Sequence, residues 1–330
     1  MKDQNMLSRS KCLSLAVALS TVVAGVLPGA AADYPDRAVS LIVGVAPGGG
    51  SDTIARHVAK ALQEKWGQPV VVENRPGADG TIASALVADA KPDGYTLLFT
   101  NNGFSLSPIN MKVTYDPIAD FAPISQIGQT PLVLAANPSL GVSDAKSLVE
   151  LLKSKPDAYS AGASGSANST WNAMQQFMKA TDTKLVAIPY KGAAAMVTAL
   201  VAGEVQLGFS NVVGIFPHLE ANGGSLKPIG VTSSARSSKL PDVPTLKETI
   251  GVENFDIWNA WYGMLAPKGT PAEIVTKIHK DVTDALNADE LKQVLAAEGL
   301  DIIASTPDQF KATLENHLKL YAEILKPAAK

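Results

Sequence analysis

The stretch Val39-Ser40-Leu41-Ile42-Val43-Gly44-Val45-Ala46-Pro47-Gly48-Gly49-Gly50-Ser51-Asp52 decides the fold. Its opening run, Val39 to Val45, is apolar and rich in β-branched residues, which predicts a strand buried on both faces. Ala46 to Gly50 cannot extend that strand, because Pro47 lacks a backbone donor and three successive glycines favour a turn. Ser51 is a good helix N-cap, and Ile54, Val58 and Leu62 recur at four-residue spacing, so a helix to about Trp66 buries one stripe. Gly67 stops it. A strand, a glycine turn and a helix in that order begin a crossover in a parallel sheet.

The same alternation continues outward. Val70 to Val72 predicts a second strand, Glu73 to Gly80 a loop, Ala83 to Ala90 a helix, and Thr96 to Thr100 a third strand ending in Asn101-Asn102-Gly103. Phe121 to Asn137 reads as two extended segments turning at Gln129 to Pro131, where the chain crosses into a second lobe. There Ser143 caps a helix through Lys153, and strands fall at Tyr159–Ala161, Val186–Pro189, Val205–Phe209 and Leu226–Thr232. Helices run from about Thr170 and from Ala193 to Ala202. Ser233 to Pro244 is a polar connection, and Ile257 to Leu265 is a strand returning to the first lobe. Pro271 starts one helix and Thr306-Pro307 opens the last, whose lobe this pattern does not assign. The expected fold is α/β with two lobes, each a mostly parallel sheet flanked by helices. Residues 33–128 and about 257–330 form lobe 1, and residues 129–256 form lobe 2.

Composition agrees with two lobes and removes several function classes. At 330 residues the chain exceeds the roughly 100–200 that one core supports. A net charge of −3 without a basic block lacks the electrostatic footprint of nucleic-acid binding. A single cysteine, Cys12, rules out a disulfide framework or thiolate cluster. Cys12 also lies in an expected leader: Lys2, Arg9 and Lys11 precede an apolar run from Leu13 to Leu27, then Pro28, Gly29 and Ala30-Ala31-Ala32. Charged, apolar and small-residue regions in that order predict a secretory signal spanning residues 1–32, cleaved after Ala32. Its removal takes three positive charges and one negative, moving the net from −3 to −5.

The chemistry available is that of strand-end loops. Val45 to Asp52 and Ile188-Pro189-Tyr190-Lys191-Gly192-Ala193 both place glycine where a strand ends and a helix begins. Helix N-termini present N–H groups without intrahelical acceptors and about half a positive charge, so two such loops face to face make an anion cleft. A dinucleotide reading fails, since after Gly48 and Gly50 the third glycine of G-x-G-x-x-G falls on Thr53. Of the four histidines, His57, His279 and His317 lie within expected helices and no pair has metal-ligand spacing. Ser164 and Ser166 sit in a small-residue loop, but Gly162-Ala163-Ser164-Gly165-Ser166 is not G-x-S-x-G and no strand-end histidine offers a base. No catalytic residue, metal or cofactor is expected.

Several motifs together resemble a known family. Tyr34-Pro35-Asp36-Arg37, Pro47 to Asp52, Glu73-Asn74-Arg75-Pro76-Gly77-Ala78-Asp79-Gly80, Pro92 to Leu98, Pro189-Tyr190-Lys191-Gly192, Leu240 to Thr245 and Ala266 to Pro271 are similar to the tripartite tricarboxylate transporter receptors, the Bug-type periplasmic binding proteins. The resemblance implies a monomeric, periplasmic Venus-flytrap receptor with discontinuous domains that captures an organic acid and hands it to a membrane permease. It implies that one carboxylate is held by Pro47, Gly48, Gly49, Gly50, Ser51 and Asp52 together with Ala78, Asp79, Gly80 and Thr81. Closure of the second lobe would bring in Ser164, Ser166, Asn168, Ser169, Lys191, Gly192, Ala193 and Asn211. Asp52, itself acidic, is expected to cap the helix or orient a water. After the third strand, Asn101, Asn102 and Phe104 stand where the family usually has small polar residues. With Trp171 and Trp258, Phe104 suggests an apolar surface for an aromatic acid, beside the alternative of an aliphatic di- or tricarboxylate. A periplasmic sensor domain and a periplasmic hydrolase remain as alternative readings.

Overall fold

The computed structural model describes residues 34–325 apart from Ala167 and Asn254. The expected signal sequence and its cleavage point therefore lie outside the described residues. Among the described residues eleven strands divide between two sheets. The first holds β1 (Val39–Val43), β2 (Val70–Asn74), β3 (Thr96–Asn101), β4 (Phe121–Thr130), β10 (Ala260–Pro267) and β11 (Asp301–Ile302) in the order β11-β4-β10-β3-β1-β2. The second holds β5 (Leu132–Ala136), β6 (Ser160–Ala163), β7 (Val186–Pro189), β8 (Leu207–Asn211) and β9 (Lys227–Val231) in the order β7-β6-β8-β5-β9.

The expected parallel pairing holds on one side of each sheet, β1 with β2 and β3, and β6 with β7 and β8. Strands beside the crossings run antiparallel: β10 with β3 and β4, and β5 with β8 and β9. The reason is topological: a strand arriving from the other lobe enters its sheet from the opposite end. Only Pro131 separates β4 of one sheet from β5 of the other. The return crossing runs beside it, with Ala260 paired to Thr130. Leu132 N–H donates to Thr232 Oγ1 at 2.9 Å, and that hydroxyl lies 3.0 Å from Asn259 Oδ1, so the two crossings are tied together.

Helices α1 (Gly50–Trp66), α2 (Thr81–Ala88) and α3 (Gly103–Asn110) follow the first three strands. Helix α1 buries Ile54, Val58 and Leu62 as its spacing predicts, and Gly67 ends it in the left-handed region at φ 65°. Its N-cap is Gly49, not Ser51, and no side chain caps it. Helix α3 is unexpected from sequence, since Pro108 lies inside it and its apolar residues keep no clear period. The second sheet carries α4 (Ala145–Ser154), α5 (Ser169–Thr181), α6 (Ala193–Ala202), α7 (Val212–Ile215) and α8 (Leu246–Ile250). Asp144 caps α4 where Ser143 was expected, because its carboxylate accepts from Ser147 N–H at 2.8 Å. Helices α9 (Ala272–Asn287), α10 (Asp289–Ala297) and α11 (Pro307–Ile324) complete the chain. The final helix packs on β4 and α3, placing it with the first sheet. Among the described residues no helix is long and apolar enough to cross a membrane.

Candidate functional site

Loops at the carboxyl ends of parallel strands converge from both sheets, where open α/β sheets gather their ligands. One cavity of about 260 Å³ is lined by Val45, Ala46, Gly49, Gly50, Ser51 and Asn101 from one side, and by Ser164, Lys191 to Ala195 and Asn211 from the other. A second, of about 630 Å³, lies between Gly44 to Ala46 and Pro76 to Asp79 on one side and Ser164 to Ser166 and Pro189 to Gly192 on the other. The first thus contains the N-termini of both α1 and α6.

Glycine makes these approaches possible. A side chain at Gly50 would put its Cβ 2.7 Å from Asn211 Oδ1, and one at Gly165 would collide with the Asp79 carboxylate, so loops from the two sheets meet at both points. Gly44 similarly packs against the backbone of Gly80. In the second loop Gly77, Ala78, Asp79 and Gly80 all have positive φ, at 139°, 44°, 52° and 90°. Two of these are not glycine, and such strained backbone clusters at ligand sites.

The expected site residues separate by environment. Gly49, Gly50, Ser51, Ala78, Asp79, Asn101, Ser164, Ser166, Lys191, Gly192, Ala193 and Asn211 line one or both cavities. Asn101 Nδ2 donates to Ser51 Oγ at 2.7 Å while its carbonyl accepts from Gly103 N–H, which holds both side chains at the cavity floor. Pro47, Gly48, Gly80 and Thr81 are backbone supports outside either lining. Asp52 is buried beneath the first loop, accepting from Gly48 N–H at 3.0 Å, from Arg56 and from Asn74 Nδ2 at 2.8 Å. Burial alone would raise its pKa, but the hydrogen bonds from Arg56, Gly48 and Asn74 outweigh it and hold the carboxyl below the usual value. The acid therefore shapes the loop from behind.

Five expectations need correction. Asn168 is consumed as the N-cap of α5, accepting from Thr170 Oγ1 at 2.7 Å and from Trp171 N–H, and Ser169 is buried in the first turn behind it. Asn102 is 1% exposed: it donates to Asn259 O and Tyr321 and accepts from Trp261 N–H, so it braces β10. Phe104 is buried against Tyr115 and Phe121, with ring centroids 5.6 and 5.0 Å away. Trp258 is buried too, stacked on Tyr321 at 5.5 Å. Phe104 and Trp258 thus satisfy their apolar area within the core, and Trp171, half-buried against it, lies outside both linings as well. Tyr190 is the one aromatic side chain in either lining.

Sequence reasoning did not name Gly44, Pro76, Gly77, Gly165, Ala194 and Ala195 as site residues, and it marked Val45, Ala46, Pro189 and Tyr190 only as members of the two strand-end loops. Most continue loops already marked by glycine, so loop membership was the available signal. Among lining residues only Asp79 and Lys191 carry charge, and among the described residues no cluster of metal ligands forms.

A model of the tripartite tricarboxylate transporter family receptor matches residues 54–328. The chain belongs to that receptor family. The receptor is similar to protein BugT of Bordetella pertussis, 31% identical over 317 residues that cover 94% of this chain and 95% of that one. Its fold resembles the periplasmic binding protein BugD at 31% identity, with a TM-score of 0.83 over 89% of this chain and 98% of that chain. It also resembles an R. palustris protein solved with adipate, at 31% identity and TM-score 0.84 over 89% and 98% of the two chains. MatC of Rhodopseudomonas palustris, solved with bound malate, is 26% identical with TM-score 0.81 over 89% and 100%. The receptor accordingly has the two-lobed fold of periplasmic binding proteins, in a family of binding receptors for transport.

Proposed function

We propose that this receptor captures a small aliphatic carboxylate between its lobes in the periplasm and delivers it, as a monomer, to the permease of a tripartite transporter. The observation that carries the reading is a single cavity holding two glycine-entered helix N-termini, at Gly49 and Gly192, neither closed by a side-chain cap. Each supplies N–H donors and partial positive charge to an anion. On this reading the first carboxylate sits at Gly49 to Ser51 with Ala78, Asp79 and Asn101. A second anionic or polar group meets Ser164, Ser166, Lys191 to Ala193 and Asn211. Lobe 1 comprises 33–128 and about 257–330, lobe 2 comprises 129–256, and residues 1–32 direct export.

Hydrogen bonds to a charged carboxylate contribute about 1.5–3 kcal/mol each, so a few suffice for micromolar binding. Adipate and malate in related proteins, and linings of glycine, hydroxyl and one lysine, favour an aliphatic acid over an aromatic one. A thermal-shift screen of adipate, malate, citrate and benzoate tests this, since a ligand at 100 times its Kd adds about 2.7 kcal/mol. At least one aliphatic acid should raise Tm without being consumed. A shift with benzoate alone would overturn the ligand class, and turnover of a bound acid would overturn the receptor reading.

A further inference from the structure

Tyr262 lies on β10, paired with Asn101 of β3, and alternation along the strand turns it to the face opposite Trp261. Trp261 packs among Phe310 and Leu314, whereas Tyr262 stacks on Phe99 with ring centroids 6.3 Å apart and points its hydroxyl toward the start of α1. A Cβ at Gly50, the first residue of that helix, would stand 3.0 Å from the hydroxyl. The side chain is 1% exposed and outside both cavity linings, next to Gly50 of the smaller one, and its hydroxyl has no hydrogen-bond partner among the described residues.

Such a group is costly to bury, at about 1–3 kcal/mol when unsatisfied, and a phenylalanine would fill the same space without that cost. The neighbouring polar groups are engaged elsewhere: Asn101 with Ser51 and Gly103, and Asn211 Oδ1 with Gly214 N–H at 2.7 Å. At α1, by contrast, the first-turn N–H groups lack intrahelical acceptors, and Gly50 puts no side chain between them and the phenol.

We infer that Tyr262 is a ligand-binding residue, its hydroxyl donating to the oxygen anion seated at the N-terminus of α1. The inference rests on the carboxylate reading of the cleft given above. Burial pushes the phenol well above its ordinary pKa, so the group stays protonated and remains a donor. The anion thereby gains a side-chain donor from the strand that returns from the second lobe, set beside backbone donors of the first.

Tyr262→Phe removes only the hydroxyl. Calorimetry uses whichever of adipate, malate or citrate binds the wild-type receptor, with Tm measured for both empty proteins. The expected result is an affinity loss of about tenfold or more, with the empty variant melting at the same or a higher temperature. An affinity loss below fivefold would overturn the inference. So would an empty variant that melts lower, which would show the hydroxyl bonded in the unliganded protein. If the wild-type receptor binds none of the three acids, the aliphatic-carboxylate reading on which the inference rests fails and the inference falls with it.

Discussion

Two kinds of helix start coexist in this receptor. Helices α4, α8 and α11 open on Asp144, Thr245 and Thr306, each with a reciprocal capping box, and α5 opens on Asn168, whose side chain accepts from Trp171 N–H. Helices α1 and α6 open on Gly49 and Gly192, with no side chain to accept those protons. The capped starts satisfy their N–H groups from within the chain. The uncapped starts of α1 and α6 share one cavity, where an anion from outside can supply the acceptor. Lack of a side-chain cap is not enough by itself, since α2, α3, α9 and α10 lack one too; α1 and α6 are set apart because their uncapped starts also line the cavity.

The strongest way to break this contrast is to give α1 the cap it lacks. Gly49 has extended backbone, φ −87° and ψ 165°, and a Cβ there would touch nothing nearer than 3.9 Å, so Gly49→Asp fits without strain. Its carboxylate should occupy the anion's place, lowering ligand affinity by about a hundredfold or more in calorimetry while stabilising the empty protein by only about 0.3 kcal/mol, read as a small rise in Tm. Unchanged affinity would mean that α1 does not hold the ligand.

Next in size is the meeting of the lobes at Gly165. A methyl group there overlaps the Asp79 carboxylate, so in Gly165→Ala either that side chain turns out of the contact or the lobes close less fully. In the second case small-angle scattering with saturating ligand should show less compaction than wild type, and affinity should fall about tenfold, roughly the worth of one charge-assisted hydrogen bond.

Acid should separate the two kinds of start more gently. The Asp52 carboxyl, which shapes the loop before α1, titrates below its ordinary range. A group depressed on folding contributes stability that is fully present above the unfolded pKa of about 3.9 and is lost as pH falls through the lower folded value. Melting curves should therefore decline below about pH 4, and Asp52→Asn should flatten that decline while costing about 1–2 kcal/mol at pH 7. A variant with an unaltered acid limb would remove Asp52 from the account.

The smallest effect tests the other member of the comparison. Thr306→Ala removes the cap of α11 and should cost about 1 kcal/mol in Tm measurements, with ligand affinity unchanged. A change in affinity would deny that capped helices are purely structural.

Much of the fold was legible because each local pattern has one physical meaning. The stripe at Ile54, Val58 and Leu62, the stop at Gly67 and the Thr306-Pro307 start all appear where the residues place them. Helix α3 was not legible, since its burial comes from neighbours and not from its own period. The cleft loops were legible through glycine. Phe104 and Trp258 were misread because an aromatic residue near a strand end looks the same whether it faces a ligand or another ring. Asn102 and Asn168 were misread for a related reason: a polar side chain beside a cleft is also the usual device for tying down a loop.

The sequence by itself determined the alternation of strands and helices, the glycine loops, the lack of a cysteine scaffold in the chain beyond Cys12, and the family. These follow from residue type and near neighbours, which act over a few residues. Tertiary structure alone decided that α1 and α6 open into one cavity, that Asp52 faces Arg56 and Asn74 behind the loop, and that Tyr262 lies beside Gly50. Asp52 meets Asn74 because β1 and β2 pair in parallel, whereas the other two relations join residues up to some two hundred positions apart and depend on the antiparallel crossings at Pro131 and Ala260.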